Sequence, residues 1–237
     1  MYQQAESTHA ARWTHVESDF LEAMRKFDQN VHSGVANQGD IQNGKGDFFT
    51  DLVSLVLEYC SGHALYGRGR VPGLIFPVHA LDATYPPGGD VEVMVETKAA
   101  GAPKSARNPS QKHPHGRPGS ADLDKRIKEA GLKTIDLKAE WARRAGQGGG
   151  PAGDLVTWLR RSKPLSFMFL AVRVVDGTDL KRTIDQSDAA NQMMDGVGLI
   201  AYRPNSRGRA YESCKVPTHL QLDRVLSRVC TALRNLP

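Results

Sequence analysis

Val91-Glu92-Val93-Met94-Val95-Glu96-Thr97-Lys98 places three valines two residues apart, with Glu92, Met94, Glu96 and Lys98 on the alternate positions. Successive side chains of a strand leave on opposite faces. The period of two therefore predicts a strand whose valines face a core and whose charged set faces a cleft. Pro86-Pro87-Gly88-Gly89-Asp90 precedes it as a turn signal, and residues 74–85 read as another strand-like run. Together they predict a hairpin over 74–98.

Upstream, Trp13, Val16, Phe20, Met24 and Phe27 recur at spacings of three and four, which predicts an amphipathic helix over 13–27. Residues 30–46, rich in Gly, Asn and Gln, read as a loop. Helical spacing resumes over 47–59 with Phe48, Leu52, Leu55, Val56 and Tyr59, while Asp47, Asp51 and Glu58 share the other face. Ser61-Gly62 supplies a C-terminal cap, and residues 67–73 form a basic turn carrying Arg68 and Arg70.

Downstream, residues 99–121 hold Lys104, Arg107, Lys112, Arg117, His113 and His115 without an acid before Asp122, and read as a basic loop. A helix is predicted over 121–144, bent at Gly131, followed by a glycine-rich break over 146–153. The apolar run 165–175 and residues 198–203 suit buried strands, and Leu222, Val225, Leu226, Val229 and Leu233 share one face of a final helix. Strands with helices on both sides in sequence predict a mixed α/β (α+β) fold: a central mixed sheet flanked by helices. One domain over 1–237 is the simplest organisation, comprising a helical part (1–62), the hairpin (74–98) and the basic insertion (99–121).

The composition, 40% hydrophobic and 24% charged, is that of a globular chain, and no apolar run is long enough to span a bilayer. The first residues are polar with no apolar signal core, so a cytoplasmic location is the expectation. Cys60, Cys214 and Cys230 are odd in number and far apart, and are expected to be reduced and structural. A formal charge of +5 suits a polyanionic partner.

Hydrolysis of a phosphodiester needs cations at the scissile phosphate, and carboxylates on rigid strands hold hard divalent metals there. Glu96 and Lys98, two apart, emerge together with Thr97 turned away. The partner carboxylate is Asp82 on the preceding arm, if register allows. With Gly88-Gly89-Asp90 as a three-residue loop, Pro87 pairs with Val91 and Asp82 lies opposite Glu96, with facing Cβ atoms about 5 Å apart. With Tyr85 paired to Asp90, His79 lies opposite Glu96 and Asp82 opposite Val93. Both registers are open to the sequence, and a bulge could adjust either. Asp90 is the rival first carboxylate.

Asp82, thirteen intervening residues and then Glu96-Thr97-Lys98 at the end of a valine-rich strand resemble the motif of the PD-(D/E)xK nucleases, a superfamily that includes many type II restriction endonucleases. Asn43-Gly44-Lys45-Gly46-Asp47-Phe48-Phe49 also looks like restriction-enzyme sequence, and Leu81 stands where the motif has proline. The resemblance covers residues 47–98. It implies a restriction-endonuclease-like core and a site-specific, Mg2+-dependent deoxyribonuclease acting on double-stranded DNA as a homodimer. In it Asp82 and Glu96 ligate the metal with help from the Thr97 carbonyl, Lys98 orients the attacking water, and Glu58 or Asp51 adds a helix acid. Lys104, Arg107 and Arg117, with Arg68 and Arg70, are the candidates for DNA contacts. The alternatives are a DNA-repair nuclease or a non-catalytic DNA-binding module of the same fold.

Other chemistries find less support. His113-Pro114-His115 has no Cys or His partner at zinc-ligand spacing. Gly148-Gly149-Gly150 follows a helix and lacks the Lys-Ser or Lys-Thr of a phosphate loop. No serine or cysteine sits in a nucleophile elbow.

Overall fold

A computed structural model describes residues 9–35, 37–87, 90–104, 116–151 and 153–236. The chain runs through helices α1 (His9–His32) and α2 (Gln38–Ser61), then strands β1 (Tyr66–Gly67), β2 (Arg70–Val71), β3 (His79–Ala80), β4 (Ala83–Tyr85) and β5 (Val93–Ala100). Helices α3 (Leu123–Arg144) and α4 (Leu155–Arg161) lead to β6 (Leu165–Arg173), α5 (Gly177–Met193), β7 (Gly196–Pro204), β8 (Tyr211–Ser213) and α6 (Leu222–Arg234). Six strands form one sheet in the order β1-β4-β5-β6-β7-β8, and β2 pairs with β3 beside it. The three central strands, β5 to β7, are parallel, and the flanking pairings are antiparallel. This is the mixed sheet between helices that the alternation of elements predicts.

Both faces of the sheet are covered. Val93, Val95, Phe167 and Phe169 pack in one cluster with Phe20 and Met24 of α1, Phe49, Val53 and Leu57 of α2, and the apolar stripe of α6. Met168, Leu170 and Val172 pack on the opposite side with Leu123, Ile127 and Ala130 of α3 and Ala190 of α5. A parallel strand buried on both faces is mostly apolar, and of the buried residues 166–173 only Ser166 and Arg173, at its two ends, are polar. Val91 departs from the valine face. It joins a small cluster with Val71, Leu81, Met94 and Leu137.

Three expectations are corrected. Residues 38–46 are not loop but the first turns of α2, capped by Asn37, whose side chain accepts the Asp40 N–H at 2.8 Å. Of the glycines here Gly44 faces α1, where a Cβ would stand 3.4 Å from Phe27 Cε1, in ordinary contact. Beside it the buried Lys45 pairs with the buried Asp28, which also meets Arg173 Nε at 3.3 Å. Residues 74–78 are not strand. The Asp136 carboxylate on α3 accepts the N–H groups of Ile75 at 2.7 Å and Phe76 at 3.1 Å and lies 2.7 Å from His79 Nε2, bending this segment onto the helix.

The third correction concerns the cysteines. Cys60, at the end of α2, and Cys230, on α6, are joined in a disulfide with Cα atoms 5.9 Å apart, and Cys214 is free. Sequence distance hides this pairing because 170 positions separate two residues that one core brings together. Among the described residues no helix is long and apolar enough to cross a membrane. Unfolded without reductant, the protein is predicted to titrate one thiol per chain with Ellman's reagent, rising to three after reduction. Three thiols before reduction would contradict the bridge.

Candidate active site

The hairpin takes the register that brings the carboxylates together. Ala83 pairs with Val95, Thr84 with Met94 and Tyr85 with Val93, so the next position on the same line sets Asp82 across from Glu96. The Glu92 N–H donates to the Tyr85 carbonyl at 2.9 Å, so Glu92 and Val93 both oppose Tyr85 as in a β-bulge. That extra residue is why Val91 leaves the valine face. Gly88 and Gly89 of the turn lie outside the described residues.

Below Ala83 the first arm peels away from β5. The Leu81 N–H goes to the Gly69 carbonyl at 2.9 Å, and the Asp82 carbonyl accepts the Arg68 N–H at 3.0 Å. The ladder partner that Thr97 loses is replaced by a side chain: Asp82 Oδ2 accepts the Thr97 N–H at 2.7 Å and its hydroxyl at 3.2 Å. On the α2 side, Thr97 Oγ1 also meets Thr50 Oγ1. N–H and C=O of a strand residue leave toward the same neighbour, so the Thr97 carbonyl points to the Asp82 side as well.

Glu96 and Lys98 project together on the α3 face. Lys98 Nζ lies 3.4 Å from Asp82 Oδ2 and 3.5 Å from Glu96 Oε2, within reach of both carboxylates. Lys133, on α3, lies 2.9 Å from Glu96 Oε1 and donates to the Ala80 carbonyl at 2.8 Å. Each Glu96 oxygen thus has its own ammonium. The Glu96 side chain is 8% exposed. Burial pushes its carboxyl pKa above the usual range and the neighbouring Asp82 charge adds to this, while Lys133 and Lys98 oppose them.

Asp82 also borders a cavity of about 550 Å³ whose walls include Asp47, Thr50, Asp51, Glu58 and Arg68. The helix acids therefore stand on the α2 side of the hairpin. Glu58 Oε1 accepts the Leu65 N–H at 2.9 Å, and Asp47 holds Arg68 at 3.3 Å. Asp90 is outside the site: it is 96% exposed and pairs with Arg144 at 3.2 Å.

The candidate DNA contacts are scattered around this centre. Arg70 is exposed on β2, opposite Ala80 of β3. Arg117 bridges to Ala102 and pairs with Asp122. Lys104 is partly exposed, and its carbonyl lies 3.2 Å from His32 Nδ1. Arg107, Lys112, His113 and His115 lie outside the described residues.

Lys133 is the site residue that motif reading misses. Its signal is helical spacing: it stands three residues after the buried Ala130 and four before the buried Leu137, on the face α3 turns to the sheet. Motif spacing on one strand and its hairpin partner has no register for a helix residue 35 positions past Lys98.

The donor set suits a small hard cation. Mg2+ is held by one or two carboxylates while keeping several waters, and facing carboxylates with an adjacent carbonyl meet that requirement. An ammonium already lies between Asp82 and Glu96. Among the described residues no group of three or more His, Cys, Asp or Glu forms an all-protein cage, which Mg2+ does not need. Comparison with protein-family models, curated proteins and solved structures finds no match for the chain.

A raised carboxyl pKa sets a sign. The fold favours protonated Glu96, so its contribution to stability is present at low pH and is lost as pH rises through the raised folded value. Glu96→Gln, neutral throughout, is predicted to melt higher than wild type at neutral pH, with the gap closing on acidification. Thermal melts across pH check this, and a lower neutral-pH melting temperature would mean that the two lysine pairs outweigh burial.

Proposed function

We propose that the chain is a Mg2+-dependent endonuclease of double-stranded DNA, a site-specific deoxyribonuclease of the type II restriction kind, acting in the cytoplasm as a homodimer. The observation that carries this reading is that Lys98 is in reach of both Asp82 and Glu96, the residues that adjoin the Ala83–Val95 pair on the two arms of the hairpin. Carboxylates used only for an ion pair do not need to be set opposite each other, where their mutual repulsion raises the Glu96 pKa. A cation-binding reaction centre does need it.

In this reading Asp82 and Glu96 hold the cation with the Thr97 carbonyl. When bound, magnesium supplies a Lewis acid for the scissile phosphate and acidifies water. Lys98 orients the attacking water and stabilises charge that develops on the phosphate oxygens. Thr97 and Thr50 fix the strand from the α2 side, and before the cation binds Lys133 holds Glu96 from the α3 side. Glu58 stands in reserve on the cavity wall, its carboxylate engaged by Leu65. The exposed Arg68, on the cavity that Asp82 borders, and Arg70, opposite Ala80, are the arginines that would contact a DNA backbone. Two copies related by a twofold axis would cut the two strands of a duplex.

The test is digestion of plasmid and phage DNA with and without Mg2+, followed by sequencing of the fragment ends. Scission is expected only with the metal. Asp82→Ala and Lys98→Ala are predicted to lower it by about 10²–10³-fold while duplex binding persists. Wild-type binding without scission on varied substrates would favour the non-catalytic module, and undiminished cutting by both variants would displace the site.

A further inference from the structure

Lys98 and Lys133 hold Glu96 in different ways. Lys98 is shared between the two carboxylates, at 3.4 Å from Asp82 and 3.5 Å from Glu96. Lys133 touches only Glu96, on its other oxygen at 2.9 Å, and takes its second contact from the Ala80 carbonyl at 2.8 Å. Its side chain is 27% exposed, as is that of Lys98, against 8% for Glu96, so the lysine lies at the solvent rim of the pair.

Two carboxylates and two ammoniums cancel at this centre. A divalent cation ligated by Glu96 takes over the negative charge that holds Lys133 and leaves the cluster with a positive excess. The lysine stem is long and flexible and can carry its head group several ångströms. What lies next to such a rim in a nuclease complex is a backbone phosphate.

We propose that Lys133 is a metal-gated phosphate contact: it stays on Glu96 until that carboxylate takes a divalent cation, and then transfers to a phosphate of the bound strand. The inference rests on the reading of the site as that of a DNA nuclease. Metal and DNA are thereby coupled, and by linkage each raises the affinity of the other by the same factor. Lys98 cannot fill this role while it spans Asp82 and Glu96 at the reacting centre.

The experiment measures binding of a fluorescent DNA duplex to the full chain by anisotropy over a series of salt concentrations, in Ca2+, which occupies such sites without supporting cleavage, and in EDTA. Wild type should bind more tightly in Ca2+. Taken as the ratio of affinity in Ca2+ to affinity in EDTA for the same protein, the gain of Lys133→Gln should be about five- to tenfold smaller than that of wild type, and its log–log salt slope in Ca2+ smaller by about one. Lys133→Arg, which keeps the charge, should retain most of the gain. An equal loss in Ca2+ and EDTA would make Lys133 a standing contact and overturn the gating, and no loss in either would make it a structural tie. On wild type alone, the duplex must raise Ca2+ affinity by the same factor as Ca2+ raises duplex affinity; a duplex that leaves Ca2+ affinity unchanged overturns the proposal whatever the variants do. Wild type that binds no duplex in either condition refutes the nuclease reading itself, an outcome distinct from failure of the gate.

Discussion

Where the first arm of the hairpin leaves the sheet, β5 would lose a backbone partner at Thr97, and the Asp82 carboxylate takes that place. A buried N–H without an acceptor is costly, so the divergence is tolerated only with an acceptor at that point. The acceptor that satisfies it is also an anion. Asp82 is thereby locked by the strand's own hydrogen-bonding requirement into a position facing Glu96. Backbone satisfaction and the meeting of Asp82 with Lys98 and Glu96 are one event here, because the splay that removes a ladder bond opens the gap the carboxylate fills.

That arrangement leaves Glu96 nearly buried beside a like charge, which no stable core would choose without compensation. Compensation comes from both neighbouring elements. Lys98 shares its ammonium between the carboxylates, and α3 sends Lys133 to Glu96 and to Ala80. The same helix, less than one turn further on, uses Asp136 to seize the backbone of Ile75 and Phe76. Helix α3 therefore grips the segment before the hairpin and the hairpin's second strand with side chains three residues apart. On the other face Thr50 of α2 meets Thr97. A site clamped from both layers keeps its geometry without help from the turn at its tip.

Much of this was legible in the sequence because period carries it. Val93 and Val95 mark the core face of β5, the apolar run 165–175 reads as a buried strand and holds β6, and α6 shows its stripe at spacings of three and four. The register was legible as one of two possibilities, decided by turn length. What escaped reading depends on partners far along the chain. Residues 38–46 look like loop because glycine and asparagine disfavour isolated helices, yet Asn37 caps the helix and Lys45 is buried against Asp28. Residues 74–78 look like strand because they are apolar, but Asp136 supplies their hydrogen bonds from α3. Cys60 and Cys230 look unpaired until α2 and α6 are laid on the same core. Lys133 belongs with these, since its role follows from helix placement against a strand rather than from any local spacing.

The cations around the centre are mostly engaged with acids, and this bears on how a net charge of +5 could serve binding. Arg68 leans on Asp47 and Arg117 on Asp122, with both partners of each pair well exposed. Exposed pairs of this kind contribute little to stability, about 0–1 kcal/mol, because water screens them and side-chain entropy opposes them. Exchanging such a carboxylate for a phosphate therefore costs little, while neutralising a phosphate releases condensed counterions. The buried pairs behave differently: Lys138 with Asp195 and Lys45 with Asp28 cannot be exchanged without stranding a charge in the core. Lys133 lies between these classes, partly exposed on a buried acid. That intermediate position is what allows an ion pair to act as a switch, since the pair is strong enough to form and accessible enough to be replaced.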